Sequence, residues 1–178
     1  MKITALETIR IDEFPNLIWL QVRTDEGVSG LGETFYLSKT AEAYVHEALA
    51  QKLVGRNPLE IDRISKDLTG YLGFRSTGVE MRGNSALDIA LWDIFGKVAG
   101  QPLAQLLGGF TRTKIRTYNT CAGSSYMREA TGQTTSNYGI GAGERSEYDD
   151  LDGFLNRADE LAAELLSEGI TEIGRAHV

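Results

Sequence analysis

At Ser38-Lys39-Thr40 the hydrophobic pattern of this chain changes period, and that change restricts the folds open to it. Before it, residues 2–11 and 16–24 alternate apolar and polar side chains and are rich in β-branched types. Asp12-Glu13-Phe14-Pro15 separates the two runs, as suits a hairpin with an exposed turn. Asp25-Glu26-Gly27 signals another turn, and residues 28–35 resume the extended pattern with glycines that permit bulges or close backbone approach. A three-stranded antiparallel meander is therefore expected within residues 2–36. After it, Ala41, Tyr44, Val45, Ala48 and Leu49 recur at helical spacing over residues 40–53. Gly55-Arg56-Asn57-Pro58 ends that run. Pro58 fits the first position of a second helix over 58–70, in which Ile61, Ile64 and Leu68 form an apolar stripe. A third helix spans 80–98, and its centre, from Ala86 to Phe95, is apolar nearly all round. That pattern calls for burial on more than one side. The fold class expected is α+β, a meander with a helical bundle.

Beyond Gly100-Gln101-Pro102 a short helical turn over 103–107 stops at Gly108-Gly109, and the polar linker 110–113 marks a domain boundary. Residues 114–120 read as a new strand. Residues 121–148 are rich in Gly, Ser and Thr, and loops that long are usually functional or mobile. Leu151, Phe154, Leu155, Ala158, Leu161, Ala162 and Leu165 then give an amphipathic helix over 150–168 that stops at Gly169, and Ile170-Thr171 begin a further strand. Strand, loop, helix and strand in that order open a β/α repeat. The last seven residues, Glu172-Ile173-Gly174-Arg175-Ala176-His177-Val178, resemble the translation of a sequencing adapter, so residues 172–178 are expected to be a non-native tail. The organisation expected is a first domain over 1–109, a strand, loop and helix over 110–171, and that tail.

Composition excludes several classes. The 178 residues carry a formal net charge of -7 and no clustered basic patch, which argues against nucleic-acid binding. No apolar run is long enough for a signal peptide or a membrane span, so a cytoplasmic protein is expected, with no membrane partner. The single cysteine, Cys121, cannot form an internal disulfide, and with only His46 and His177 beside it there is no Cys/His spacing for structural zinc.

Three ordered motifs carry a resemblance. Gly27-Val28-Ser29-Gly30-Leu31-Gly32-Glu33 comes first, then Ser85-Ala86-Leu87-Asp88-Ile89-Ala90-Leu91-Trp92-Asp93-Ile94-Phe95-Gly96-Lys97. Gly100-Gln101-Pro102-Leu103 with Leu106-Leu107-Gly108-Gly109 closes the series. In this order and spacing, residues 1–109 resemble the N-terminal capping domain of the mandelate racemase/muconate lactonizing enzymes, a branch of the enolase superfamily. The resemblance implies a cap over a (β/α) barrel, with chemistry at the C-terminal ends of the barrel strands. Such a barrel takes about 250 residues, so residues 110–171 supply only its opening strand and helix, an incomplete TIM-type segment. In that family a lysine or histidine base removes the proton next to a carboxylate and Mg2+ stabilises the enediolate. The lysine motif and the three carboxylate ligands of the family lie beyond Thr171. No catalytic or metal residue is therefore carried over to this sequence, and the chain by itself is expected to be inactive and to bind no cofactor. For the intact protein the resemblance implies a Mg2+-dependent enzyme acting on a small carboxylate, first of all an acid-sugar dehydratase, assembled as a homo-oligomer. Racemase and cycloisomerase activities are the alternatives within the family. A stand-alone ligand-binding or interaction module without chemistry is the rival from another class.

By the same resemblance, the turn around Phe14, Pro15 and Asn16 and the segment 34–37, with Phe35, reach over the barrel mouth and shape substrate access. Asn119 and Thr120, at the end of the first barrel strand, face the pocket. Arg75, in the Gly73-Phe74-Arg75-Ser76 turn, either meets an anionic substrate or is solvated or salt-bridged. Other polar residues read as structural. Asp88 and Asp93 lie about 140° apart on a helix and make a poor carboxylate pair. Glu33, Asp25 and Glu26 suit strand ends and turns, and His46 lacks the nucleophile a triad needs. Cys121 suits a small buried thiol.

Overall fold

Alternate residues are buried along β2 (Leu17–Thr24) and β3 (Ser29–Phe35), while β1 (Ile3–Ile9), irregular near its start, buries Ile3 and Leu6. They pair in the order β1-β2-β3, antiparallel throughout. This is the expected meander. The computed structural model describes residues 1–12, 14–69, 78–119 and 151–172 together with Gly174. The chain divides into two compact units, Met1–Phe110 and Thr111–Val178.

In the first unit, Ile18, Leu20 and Val22 of β2 lie on the inner face of the sheet and are buried. The register sets Leu6 opposite Val22 and Val22 opposite Gly30, with an irregularity between Ile3 and Ala5. Behind the sheet runs α4 (Val79–Ala99), which buries Ala86, Leu87, Ala90, Leu91 and Ile94. Contact between β3 and α4 is made by the smallest side chains on each. A Cβ added to Gly30 would strike the carbonyl oxygen of Ala90, and one on Gly32 would strike that of Ala86. The glycines of the first motif thus let a helix backbone approach a strand backbone, as expected of glycines inside strands.

The helical layer begins with α1 (Ser38–Tyr44), passes through a π-helical turn over Val45–Leu49, and ends in α2 (Ala50–Leu53). Gly55, at φ 88°, turns the chain so that its N–H donates to the Ile3 carbonyl at 2.8 Å, while the Ile3 N–H donates to the Arg56 carbonyl at 2.8 Å. The chain after α2 is thereby stitched to the start of β1. The next helix, α3 (Ile61–Leu68), starts later than the expected residue 58. Pro58 sits instead in a turn closed by Asn57, whose Oδ1 accepts from the Leu59 N–H at 3.1 Å and whose carbonyl accepts from the Glu60 N–H at 3.3 Å. Asparagine competes locally for the backbone in this way, and here it displaces the helix start. Ile61, Ile64 and Leu68 face the core as the stripe requires. Each such side chain, fully buried, contributes about 1.5–3 kcal/mol.

The expectation that α4 is buried on more than one side is met only in part. Ile89 is 50% exposed and Asp88 is exposed, because α3 covers only part of the helix face turned away from the sheet. Gly100, at φ 61°, ends α4. Pro102 leads into α5 (Leu103–Leu106), which stops where the Gly109 N–H donates to the Ala104 carbonyl at 2.8 Å.

The second unit departs further from expectation. Residues 111–118 form no regular element. Among the described residues of this unit, strand pairing is confined to Asn119, whose N–H donates to the Glu172 carbonyl at 3.1 Å and whose carbonyl accepts from the Gly174 N–H at 2.7 Å. These two slanted bonds on one residue are the pattern of a parallel pair. Glu172 and Gly174, assigned to the tail by the sequence reading, take part in it. The strand expected over 114–120 is thus reduced among the described residues to one bridge, and Ile115 within it is 79% exposed. The single helix expected over 150–168 is two, α6 (Leu151–Asn156) and α7 (Ala158–Ser167), broken at Arg157 with φ -137°. Leu161 and Leu165 of α7 are buried together with Ile170 packed against them. Among the described residues no helix is long and apolar enough to cross a membrane.

Candidate functional site

Register brings two irregular segments of the first unit side by side. Leu17 pairs with Phe35 and Ile18 with Thr34, so the turn preceding β2 adjoins the segment following β3. The turn closes on itself, the Phe14 N–H donating to the Ile11 carbonyl at 3.0 Å and the Leu17 N–H to the Phe14 carbonyl at 2.9 Å. Two bonds then tie turn to segment. The Tyr36 N–H donates to the Asn16 carbonyl at 2.9 Å, and the buried Ser38 hydroxyl donates to the Pro15 carbonyl at 2.8 Å.

The rim so formed is held in an unfavourable conformation. Tyr36 and Leu37 have φ of 67° and 55°, a left-handed backbone that bulky side chains rarely adopt. The Leu37 carbonyl accepts from Thr40 N–H and Ala41 N–H at 2.9 Å each, which starts α1 directly behind these two residues. The Asn16 Nδ2 is buried without a hydrogen-bond partner among the described residues. Against these costs stand packing and one cation. Phe14 meets Trp19 edge-on at 6.3 Å between ring centroids. Arg82, in the first turns of α4, places its guanidinium 4.7 Å from the Phe35 ring centre and 5.0 Å from that of Tyr36. It also donates to the Phe35 carbonyl at 2.8 Å.

Phe14, Asn16 and Phe35 are therefore gathered at one rim of the sheet. Asn119 lies in the second unit, where its backbone makes the parallel bridge. Arg75 and Thr120, like Cys121 and His177, lie outside the described residues. The sequence reading did not single out Arg82. Its one signal was a cation in the opening turns of a helix otherwise apolar at its centre, and its partner Phe35 is 47 residues away.

Other polar groups form structural links. Asp93 Oδ2 accepts from the Leu31 N–H at 2.8 Å and from Lys97 Nζ at 2.7 Å, and Lys97 Nζ also donates to the Ser29 carbonyl at 2.8 Å. The α4 motif thus holds the edge strand β3 with a carboxylate and an amine one helical turn apart. His46 Nε2 lies 2.8 Å from Thr8 Oγ1, which donates to Glu42 Oε1 at 3.0 Å, and Glu42 also receives Arg10 Nε at 2.9 Å. Asp88 lines a groove of about 330 Å³ between α3 and α4 with Ile64, Leu68 and Met81. Partial desolvation in this groove, with a smaller contribution from the Asp62 charge, raises its carboxyl above the ordinary value of 3.8. Among the described residues no three His, Cys, Asp or Glu side chains converge as a metal site.

A sequence profile of the mandelate racemase / muconate lactonizing enzyme N-terminal domain matches residues 4–108. The chain belongs to this family. As a member of the mandelate racemase/muconate lactonizing enzymes, it carries in its first unit the three-stranded sheet and helices of the enolase-type cap. The family chain is 42% identical over 125 residues to a D-galactonate dehydratase of Ralstonia nicotianae, a match covering 69% of this chain and 32% of that protein. It is 39% identical over 126 residues to a D-mannonate dehydratase of Novosphingobium aromaticivorans, covering 70% of this chain and 31% of that one. A crystal structure of an enolase of the mandelate racemase subgroup from Agrobacterium tumefaciens superimposes with a TM-score of 0.73 at 51% identity, covering 97% of this chain and 38% of that chain. The chain spans about a third of the length of the curated relatives it matches, 32% in the first of them.

Proposed function

We propose that this chain is the cap and barrel opening of an acid-sugar dehydratase, an enzyme that removes the proton α to a carboxylate and expels a β-hydroxyl as water. The similarity to a D-galactonate dehydratase over 125 residues carries this reading. In such a reaction the α C–H bond breaks, its electron pair forms an enol as the β C–O bond breaks, and the enol tautomerises to a 2-oxo-3-deoxy acid. An unassisted carbon acid of this kind ionises too slowly at neutral pH. A divalent cation such as Mg2+, when bound in the intact enzyme, would supply charge neutralisation at the substrate carboxylate. The described residues do not form a site that fits such a cation, and the base and the ligands belong to the rest of the intact enzyme.

The residues of this chain supply the entrance. Phe14 and Phe35 present apolar surface at the rim, which excludes water from the charge developing on the substrate. Asn16, Asn119, Thr120 and Arg75 are assigned with them to the set that shapes substrate specificity. The intact enzyme is read as a homo-oligomer. Its test is product analysis. The intact enzyme with Mg2+ and a panel of aldonic and aldaric acids is expected to give 2-oxo-3-deoxy acids, detected as semicarbazones. Epimerised or lactonised product without loss of water would instead assign the racemase or cycloisomerase reaction.

A further inference from the structure

We infer that Arg82 is a positioning residue, a clamp that holds the substrate-facing rim in its unfavourable conformation; the inference rests on the functional reading above. Three costs meet at this rim. Tyr36 and Leu37 hold consecutive left-handed backbones, and the Asn16 amide nitrogen is buried without an acceptor among the described residues. Conformations of this kind persist only where the surroundings over-determine them, and they gather where a site is held in readiness. Arg82 reaches this conformation with its side chain from α4, a second rigid element besides α1. Its guanidinium covers two consecutive rings, at 4.7 and 5.0 Å, and donates to the carbonyl that immediately precedes the first left-handed residue. A planar cation suits that combination, since stacking uses its face and hydrogen bonding its edge. Lysine has no such face.

The clamp reaches the turn through the backbone. Once Phe35 and Tyr36 are fixed, the Tyr36 N–H fixes the Asn16 carbonyl, and Ser38 fixes that of Pro15. Phe14, Asn16 and Phe35 then stand as one surface. The helix behind the clamp is anchored as well. Tyr44 Oη donates to Asn84 Oδ1 at 3.0 Å, and a Cβ on Gly83 would come within 2.6 Å of the Tyr44 ring. Arg82 is thus mounted beside a contact between α4 and α1.

Amide exchange on the 178-residue chain tests the clamp, and steady-state kinetics on the intact enzyme test its purpose. Arg82→Ala and Arg82→Lys are each expected to speed exchange of the Tyr36 amide about tenfold while leaving the Leu20 and Val22 amides unchanged, a local opening rather than an unfolding. Phe35→Leu, which removes one ring beneath the cation, should act in the same direction. A Tyr36 amide as slow in Arg82→Ala as in the parent overturns the clamp, and so does equal acceleration of the whole sheet or full restoration by lysine. In the intact enzyme Arg82→Lys is expected to raise KM for the acid sugar on the order of tenfold with a smaller effect on kcat. An unchanged KM overturns the positioning role. An intact parent that dehydrates no acid sugar refutes the functional reading, and the exchange result still decides the clamp.

Discussion

Gly32 of β3 faces Ala86 of α4 so closely that no side chain fits between the two backbones. Gly32→Ala is accordingly expected to destabilise the first unit by about 3 kcal/mol, because the atom it strikes is a backbone carbonyl that cannot rotate away. Gly30→Ala, facing Ala90, should behave alike. Gly27→Ala meets nothing within 4 Å but sits at φ 77°, so it should cost only about 1 kcal/mol through backbone strain. Urea denaturation followed by tryptophan fluorescence, comparing the three, checks the order.

Core truncation separates the two units. Leu91→Ala, at 1% exposure beneath the sheet, should lower stability of the first unit by about 2–5 kcal/mol. Leu161→Ala removes a buried side chain from the small cluster of the second unit. It should leave denaturation of the first unit, reported by Trp19 and Trp92, unchanged.

Asp88 supplies a pH dependence. Its folded-state pKa is raised, first by burial and then by the Asp62 charge, so the folded state holds the proton more tightly than the unfolded chain. Stability therefore falls as pH rises from the ordinary carboxylate value of 3.8 through the raised one, and stays lowered above it. Asp88→Asn is expected to stabilise the chain at pH 7 and to make little difference at pH 3. Thermal melts of both proteins at the two pH values check this; a larger gain at pH 3 than at pH 7 contradicts it.

At the rim, Phe35→Ala in the intact enzyme should raise KM more than it lowers kcat if, as proposed, the ring borders the substrate and the chemistry lies elsewhere. Phe14→Ala should act similarly. The comparison is made with two acid sugars of different length, and the longer is expected to lose more.

What could be read without the fold was whatever depends on local period. Alternation in residues 17–24 and the apolar centre of α4 are properties of single elements, and both were legible. The start of α3 was misread because Asn57 bonds the backbone ahead of it and overrides the preference of Pro58 for a first helical turn. The break at Arg157 was hidden beneath a continuous apolar stripe, which says nothing about φ at one residue. Phe14, Asn16 and Phe35 were named through the family resemblance and not through any local pattern, whereas Arg82 acquires its contacts only from Phe35 and Tyr36, which the fold brings back from far along the chain. Likewise Asn119 has its partners in Glu172 and Gly174, and no periodicity within residues 114–120 distinguishes a strand from one isolated bridge.

The proposed dehydration is tested most directly by solvent-deuterium incorporation, followed by NMR, with a panel of acid sugars and Mg2+ in D2O. The assay is run on the 178-residue chain and on the intact enzyme that carries it. Deuterium is expected in the 3-position of a 2-oxo-3-deoxy product from the intact enzyme, with neither exchange nor product from the 178-residue chain. Exchange or turnover by the chain alone would contradict the proposal, as would an intact enzyme that leaves every acid sugar unchanged.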